Sequence, residues 1–188
     1  EEVGLAGMLI ETETAMAPFD VAHPFEAERD RYEQDVLLAD CDERLEEIAP
    51  AWHVASVNQG EARERLRELD PELVLVFGTG LIEADLLNAV GAPLLNLHGG
   101  NPEEYRGLDT QLWAVYHGDF ANLMTTLHFV NADFDTGPIA GQATLEFARG
   151  AGLHQLRAVN TDACVDLCVS AAQALDRNGQ LPARPRAP

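Results

Sequence analysis

Asn96, His98 and Asp135 are the polar side chains whose types and positions suit acid–base chemistry. Asn96 and His98 lie two residues apart in LLNLHGGNPEEYRG (94–107). That stretch starts as an apolar strand and breaks at Gly99-Gly100-Asn101-Pro102. Residues i and i+2 of a strand share a face, so an amide and an imidazole leave the strand end side by side. An amide N–H can hold a developing oxyanion, and an imidazole takes or gives a proton near neutral pH. Asp135, in NADFDTGP, offers a carboxylate that would orient such a histidine and favour its charged form. Together the three suit transfer of an acyl group to an amine. Spacing alone does not bring Asp135 to His98. A capped strand end with a structurally bonded histidine explains Asn96 and His98 equally well.

These residues must be positioned by the elements around them. An apolar run from Leu5 to Ile10 reads as a buried strand. Charged, helix-forming sequence follows from Pro24 to about Ile48, with a break near Ala39 to Asp42 and Pro50 closing it. His53–Val57 reads as a strand, Glu61–Leu69 as a helix, Leu73–Phe77 as an apolar strand ending in Gly78-Thr79-Gly80, and Ile82–Val90 as a helix. Leu94–Leu97 is the next strand. Strands alternating with helices and apolar throughout predict a doubly wound, Rossmann-like α/β fold with a mostly parallel sheet. Ligands of such sheets bind beyond the carboxyl ends of the strands, where Gly78–Gly80 and His98–Gly107 both fall. The second half adds an amphipathic helix, Thr110–Tyr116, packing Leu112, Trp113 and Tyr116. Strands Leu123–Val130 and Ile139–Phe147 follow, an antiparallel extension, and then a helix from Leu153 to Leu175 stopped by Asn178-Gly179. One domain over 1–176 is expected, with a mobile Pro/Arg-containing tail over 177–188.

Composition narrows the function classes. The 188 residues carry 32 acidic against 12 basic side chains, a net charge of −20, which repels phosphate backbones and anionic lipid. Nucleic acid and membrane are therefore not expected partners, and no apolar run is long enough to span a bilayer. Cys41, Cys164 and Cys168 fit free thiols of a reducing, cytoplasmic compartment. No His or Cys spacing supports a metal site. His128 reads as a structural strand residue, His117 and His154 as surface residues, and His23 and His53 carry no signal.

Further motifs stand in a set order after the first pair: Tyr105-Arg106-Gly107, Gly118-Asp119, Thr126-Leu127-His128, then Asp135-Thr136-Gly137-Pro138-Ile139 and Gln142. This order resembles the 10-formyltetrahydrofolate-dependent formyltransferases, a family that includes glycinamide ribonucleotide, methionyl-tRNA and sugar-amine formyltransferases. The resemblance implies that Asn96, His98 and Asp135 form a catalytic triad. Asn96 and a protonated His98 would hold the intermediate's oxygen, and Asp135 would keep His98 charged. It also implies a reduced-folate co-substrate against Phe77, Gly78, Thr79, Leu81, Val130, Asn131 and Asp133, and an amine acceptor near Gly99, Gly100, Asp109 and Gln111. No metal is implied.

Departures from the family pattern shape the expectation. Gly99-Gly100-Asn101-Pro102 replaces the usual Pro-Ser-Leu-Leu-Pro after the histidine, so the acceptor side is rebuilt. Without a basic surface, initiator tRNA is not the expected acceptor. A small-molecule amine is, such as an amino-sugar nucleotide or a specialised metabolite, with a homodimer left open. The alternatives are hydrolysis of 10-formyltetrahydrofolate and a non-catalytic relative that binds folate or a partner. The family's first strand and its glycine-bearing turn have no counterpart in the 188 residues, and residues preceding Glu1 are the expected source.

Overall fold

The computed structural model describes residues 3–13, 24–41, 43–132 and 135–186. His23, Asp42 and Asp133 fall outside them. The order is β1 (Met8–Glu11), α1 (Glu26–Tyr32), a π-helical turn (Glu33–Leu37), α2 (Leu45–Ile48), β2 (Ala51–Val54), α3 (Gly60–Leu69), β3 (Val74–Phe77), α4 (Ala84–Ala89) and β4 (Leu94–His98). α5 (Thr110–His117), β5 (Met124–Phe129), β6 (Ile139–Thr144) and α6 (Leu156–Asn178) complete it.

β1 and β2 pair in parallel, as do β3 and β4, while β4-β5-β6 run antiparallel, matching the expected α/β layout with its antiparallel extension. The strands form two sheets, β1-β2 and β3-β4-β5-β6, and among the described residues no strand hydrogen-bonds one to the other. They are joined by a common core instead. Val54 of β2, Ala62 and Leu66 of α3, Val76 of β3, Leu86 of α4 and Leu94 of β4 pack together.

The two-residue period of β4 builds the rest. Leu94 faces the α3–α4 layer, whereas Leu95 and Leu97 point the other way and pack with Leu127, Leu167 and Ala171 under α6. Gly141 lets α6 approach β6, since a Cβ there would lie 2.9 Å from the Leu167 side chain. Asn96 and His98 share the face of Leu94 by the same alternation.

The charged segment after Pro24 breaks where expected: α1 runs on into the π-helical turn, which ends at Leu37, and helix resumes with α2 at Leu45. Two expectations change. On α5, Ala114 is buried and Leu112 and Val115 are partly so, but Trp113 and Tyr116 are 52% and 78% exposed. The buried face is set by Gln111, Ala114 and Val115 at helical spacing, so the two aromatics stack outside beside His117. The C-terminal tail is not loose. Leu181 packs on the α6 core, and Arg184 exchanges backbone hydrogen bonds with Ile139 at 2.8 and 2.9 Å.

Leu95 is fully buried between β3, β5 and α6. Leu95→Ala should cost about 2–5 kcal/mol, measured by urea unfolding.

Candidate active site

Asn96 and His98 leave the carboxyl end of β4, and the antiparallel register sets His128 of β5 directly opposite Asn96. The β5–β6 connection then folds back over them. Its return is fixed at Gly137, where a Cβ would fall 1.8 Å from the Phe129 carbonyl oxygen, so only glycine fits. The Phe129 N–H donates to the Pro138 carbonyl at 2.9 Å, and Thr136 Oγ1 donates to Asn131 Oδ1 at 2.8 Å. Asp135 sits at the loop's inner bend with φ of +48°, an uncommon left-handed conformation for a side-chain-bearing residue.

That bend brings the sequence-predicted residues together. Asp135 Oδ2 lies 3.3 Å from His98 Nδ1, and Oδ1 lies 3.3 Å from His128 Nε2. Asn96 Nδ2 reaches Asp135 Oδ1 at 3.4 Å and His128 Nε2 at 3.2 Å. The Gly107 N–H donates to Asp135 Oδ2 at 3.4 Å. His98 Nε2 donates to the Tyr105 carbonyl at 2.9 Å. His98 and His128 are almost wholly buried and Asp135 nearly so, which strengthens each polar contact.

Electrostatics revise the expected charge on His98. Burial pushes its pKa below the ordinary 6.5, and Asp135 and the Tyr105 bond offset this only in part. That direction favours the neutral ring, and the Tyr105 carbonyl, which only accepts, takes the Nε2 proton of that form. Nδ1 then faces Asp135 with a lone pair, a contact that becomes attractive once a proton lies between them. For Asp135, burial pushes upward, but the His128 hydrogen bond, charge on His98 and His128, and the Gly107 N–H together hold the carboxyl below 3.8.

The cluster forms the floor of a cavity of about 1000 Å³. The turn after β3 makes one wall, with Phe77, Gly78, Thr79 and Leu81; Val130 and Asn131 of the β5–β6 connection make another. Gly99, Arg106 and Asp109 line the opposite side. Gly100 does not reach the cavity. Its φ of +152° and the Thr110 Oγ1 that would lie 2.8 Å from a Cβ make it a packing glycine. Gln111 touches the cavity but is committed to structure, donating to Met124 O at 3.0 Å and Asn160 Oδ1 at 2.7 Å. Among the described residues no group of His, Cys, Asp or Glu could hold a metal ion.

His128, read as structural, is packed as a strand residue yet also meets the Asp135 carboxylate; its register opposite Asn96 was the available signal. Arg106 of the YRG turn lines the cavity and Arg186 of the tail reaches the Asp135 carbonyl; neither was given a site role from the sequence.

The formyl transferase family profile matches residues 13–169, and the chain belongs to that family. Over 95 residues it is 30% identical to methionyl-tRNA formyltransferase of Ruminiclostridium cellulolyticum, a match covering 50% of this chain and 30% of that protein. The chain therefore aligns with under a third of that relative. Its fold superposes on a sugar N-formyltransferase from Shewanella sp. FDAARGOS_354 with a TM-score of 0.58, at 13% identity, covering 98% of this chain and 74% of the other. Glycinamide ribonucleotide transformylase 1 from Symbiobacterium toebii gives the same TM-score at 18% identity, covering 95% and 93%.

A histidine with a depressed folded pKa binds fewer protons folded than unfolded. Its share of stability is present above the unfolded value and is lost as pH falls through the folded one. The same sign holds for Asp135 below 3.8. In urea unfolding, wild type should therefore lose stability relative to His98→Gln as pH drops below 6.5. Taking the difference between the two proteins cancels the general relief of acidic self-repulsion.

Proposed function

We propose that the chain transfers a formyl group from 10-formyltetrahydrofolate to a primary amine of a small molecule, an amino-sugar nucleotide or a specialised-metabolite amine. The observation that carries this reading is the convergence of Asn96, His98 and Asp135, from two distant stretches of chain, on the floor of one large cavity. Family membership supplies the reaction class.

The cavity walls suit a reduced folate. A flat heterocycle fits between apolar Phe77, Leu81 and Val130, with the open backbone of Gly78–Gly80 and the Asn131 side chain available for its polar edge. Asp133 remains part of this proposal. The donor supplies an activated formyl carbon; the chain's residues do the rest. As the amine nitrogen bonds to that carbon, negative charge grows on the formyl oxygen. Asn96 Nδ2 can release Asp135 Oδ1, its longest contact at 3.4 Å, and donate to that oxygen. The amine must shed a proton, and His98 Nδ1 accepts one with Asp135 Oδ2 already placed to receive the N–H. Protonated in this way, the ring stabilises the developing charge and can return the proton to the folate nitrogen as the carbon–nitrogen bond to the donor breaks. Gly99 and Asp109 sit where the acceptor would enter. The large negative charge argues for a small acceptor rather than a tRNA.

His98→Ala should abolish formyl transfer with folate affinity nearly intact by titration calorimetry, and Asn96→Ala should lower kcat about 100- to 1,000-fold. Formate release from the folate without amine would point to a hydrolase, folate binding without turnover to a non-enzyme, and no folate binding would defeat the reading.

A further inference from the structure

The tail that follows α6 carries a half-buried charge that the triad does not account for. After its bridge to Ile139, the chain turns Arg186 beneath the β5–β6 connection, where Nη1 donates to the backbone carbonyl of Asp135. The other donors of this guanidinium, Nε and Nη2, are buried with no hydrogen-bond partner among the described residues. Unpaired buried donors are costly, and more so when charged. Arg106 stands close enough to repel Arg186, while Glu103 and Asp135 attract it. A residue chosen for stability alone would not be placed this way.

What Arg186 touches explains the placement. Asp135 is held at a φ of +48°, and its carboxylate must meet His98, His128 and the Gly107 N–H together. A bond to the carbonyl of that same residue fixes the peptide plane from which the carboxylate projects. Resting on the function proposed above, we propose that Arg186 is a positioning residue for formyl transfer: the tail straps under the catalytic loop and holds the Asp135 backbone so that its carboxylate stays aimed at His98.

The neighbouring Arg184 provides an internal control. Its guanidinium bonds Gln142 Oε1 at 2.9 Å and lies 3.4 Å from Glu103, away from Asp135. Around His98 stand Asp135 from the β5–β6 connection, His128 from β5 and the Tyr105 carbonyl, with the positive charge of Arg186 beyond them. Burial leads in lowering the His98 pKa, and Arg186 adds to it.

The test compares full-length wild type, Arg186→Met, Arg186→Lys and Arg184→Gln. Arg186→Met should lower kcat about 10- to 100-fold by misaiming the carboxylate, with KM for the folate little changed and Tm unchanged or raised, since no partnered donor is lost except Nη1. Arg186→Lys, which keeps a donor and the charge, should recover much of kcat, and Arg184→Gln should resemble wild type. By NMR titration of the imidazole, Asp135→Asn should lower the His98 pKa in the wild-type background and lower it less in Arg186→Met, where the carboxylate is no longer aimed at the ring, while Arg184→Gln keeps the wild-type drop. A kcat within about twofold of wild type in Arg186→Met, a fall in kcat that tracks a fall in Tm and that Lys does not rescue, or an Asp135→Asn drop of the same size with and without Arg186 would overturn the proposal. If wild type formylates no amine, the function proposal fails, and the titration alone decides the role of Arg186.

Discussion

The Asp135 carboxylate meets two imidazoles, an amide and a backbone N–H at once, and the surrounding structure is arranged to make that meeting possible. It requires a left-handed bend at a non-glycine residue, a conformation that persists only where neighbouring contacts over-determine it. The over-determination is visible on every side of the bend: Gly137 closing on the Phe129 carbonyl, Thr136 bonded to Asn131, and Arg186 bonded to Asp135's own carbonyl. The sheet beneath is rigid because β4 is packed on both faces, by α3 and α4 on one side and α6 on the other. Strain in the loop is thus held by a well-packed floor.

The charges in the cluster divide the work between its two histidines. His98 is buried enough to rest neutral, which frees Nδ1 to take a proton, and Asp135 is hydrogen-bonded enough to stay ionised and receive that N–H. A carboxylate whose pKa is held down beside a histidine whose pKa is pushed down is a pair that rests without a shared proton and readily gives up one it has taken. The charged His98 that the resemblance implies is opposed here by burial, which keeps water from the ring and lowers its pKa. His128 shares the carboxylate from the other side and ties it to β5.

The parts of this site that lie on regular elements were legible in the sequence, and the parts made by loops closing on each other were not. Asn96 and His98 follow from strand alternation and an abrupt glycine turn. Asp135 needed the ordered motifs between it and His98, because nothing local says that a β5–β6 loop folds inward rather than outward. Gly99 and Gly100 look alike in sequence, yet one lines the cavity and the other packs on Thr110, a difference set by tertiary contact. The tail was misread because prolines suggested looseness. Its signal was Arg184 and Arg186 at two-residue spacing with prolines between and before them, the pattern of an edge segment that donates on one side only. The two-sheet arrangement was partly legible. Apolar β3, with Leu75 and Phe77 exposed on one face, reads as a strand built to be covered.

The central claim is that the carboxylate of Asp135, acting on His98, makes this constellation a formyl-transfer site. The most direct measurement is mass spectrometry of amine products formed from 10-formyltetrahydrofolate by wild type and by Asp135→Asn, an isosteric change that removes the charge and keeps the shape. Formylated amine from wild type and almost none from a folded, folate-binding Asp135→Asn is the predicted result. Product formed by Asp135→Asn at the wild-type rate would contradict it.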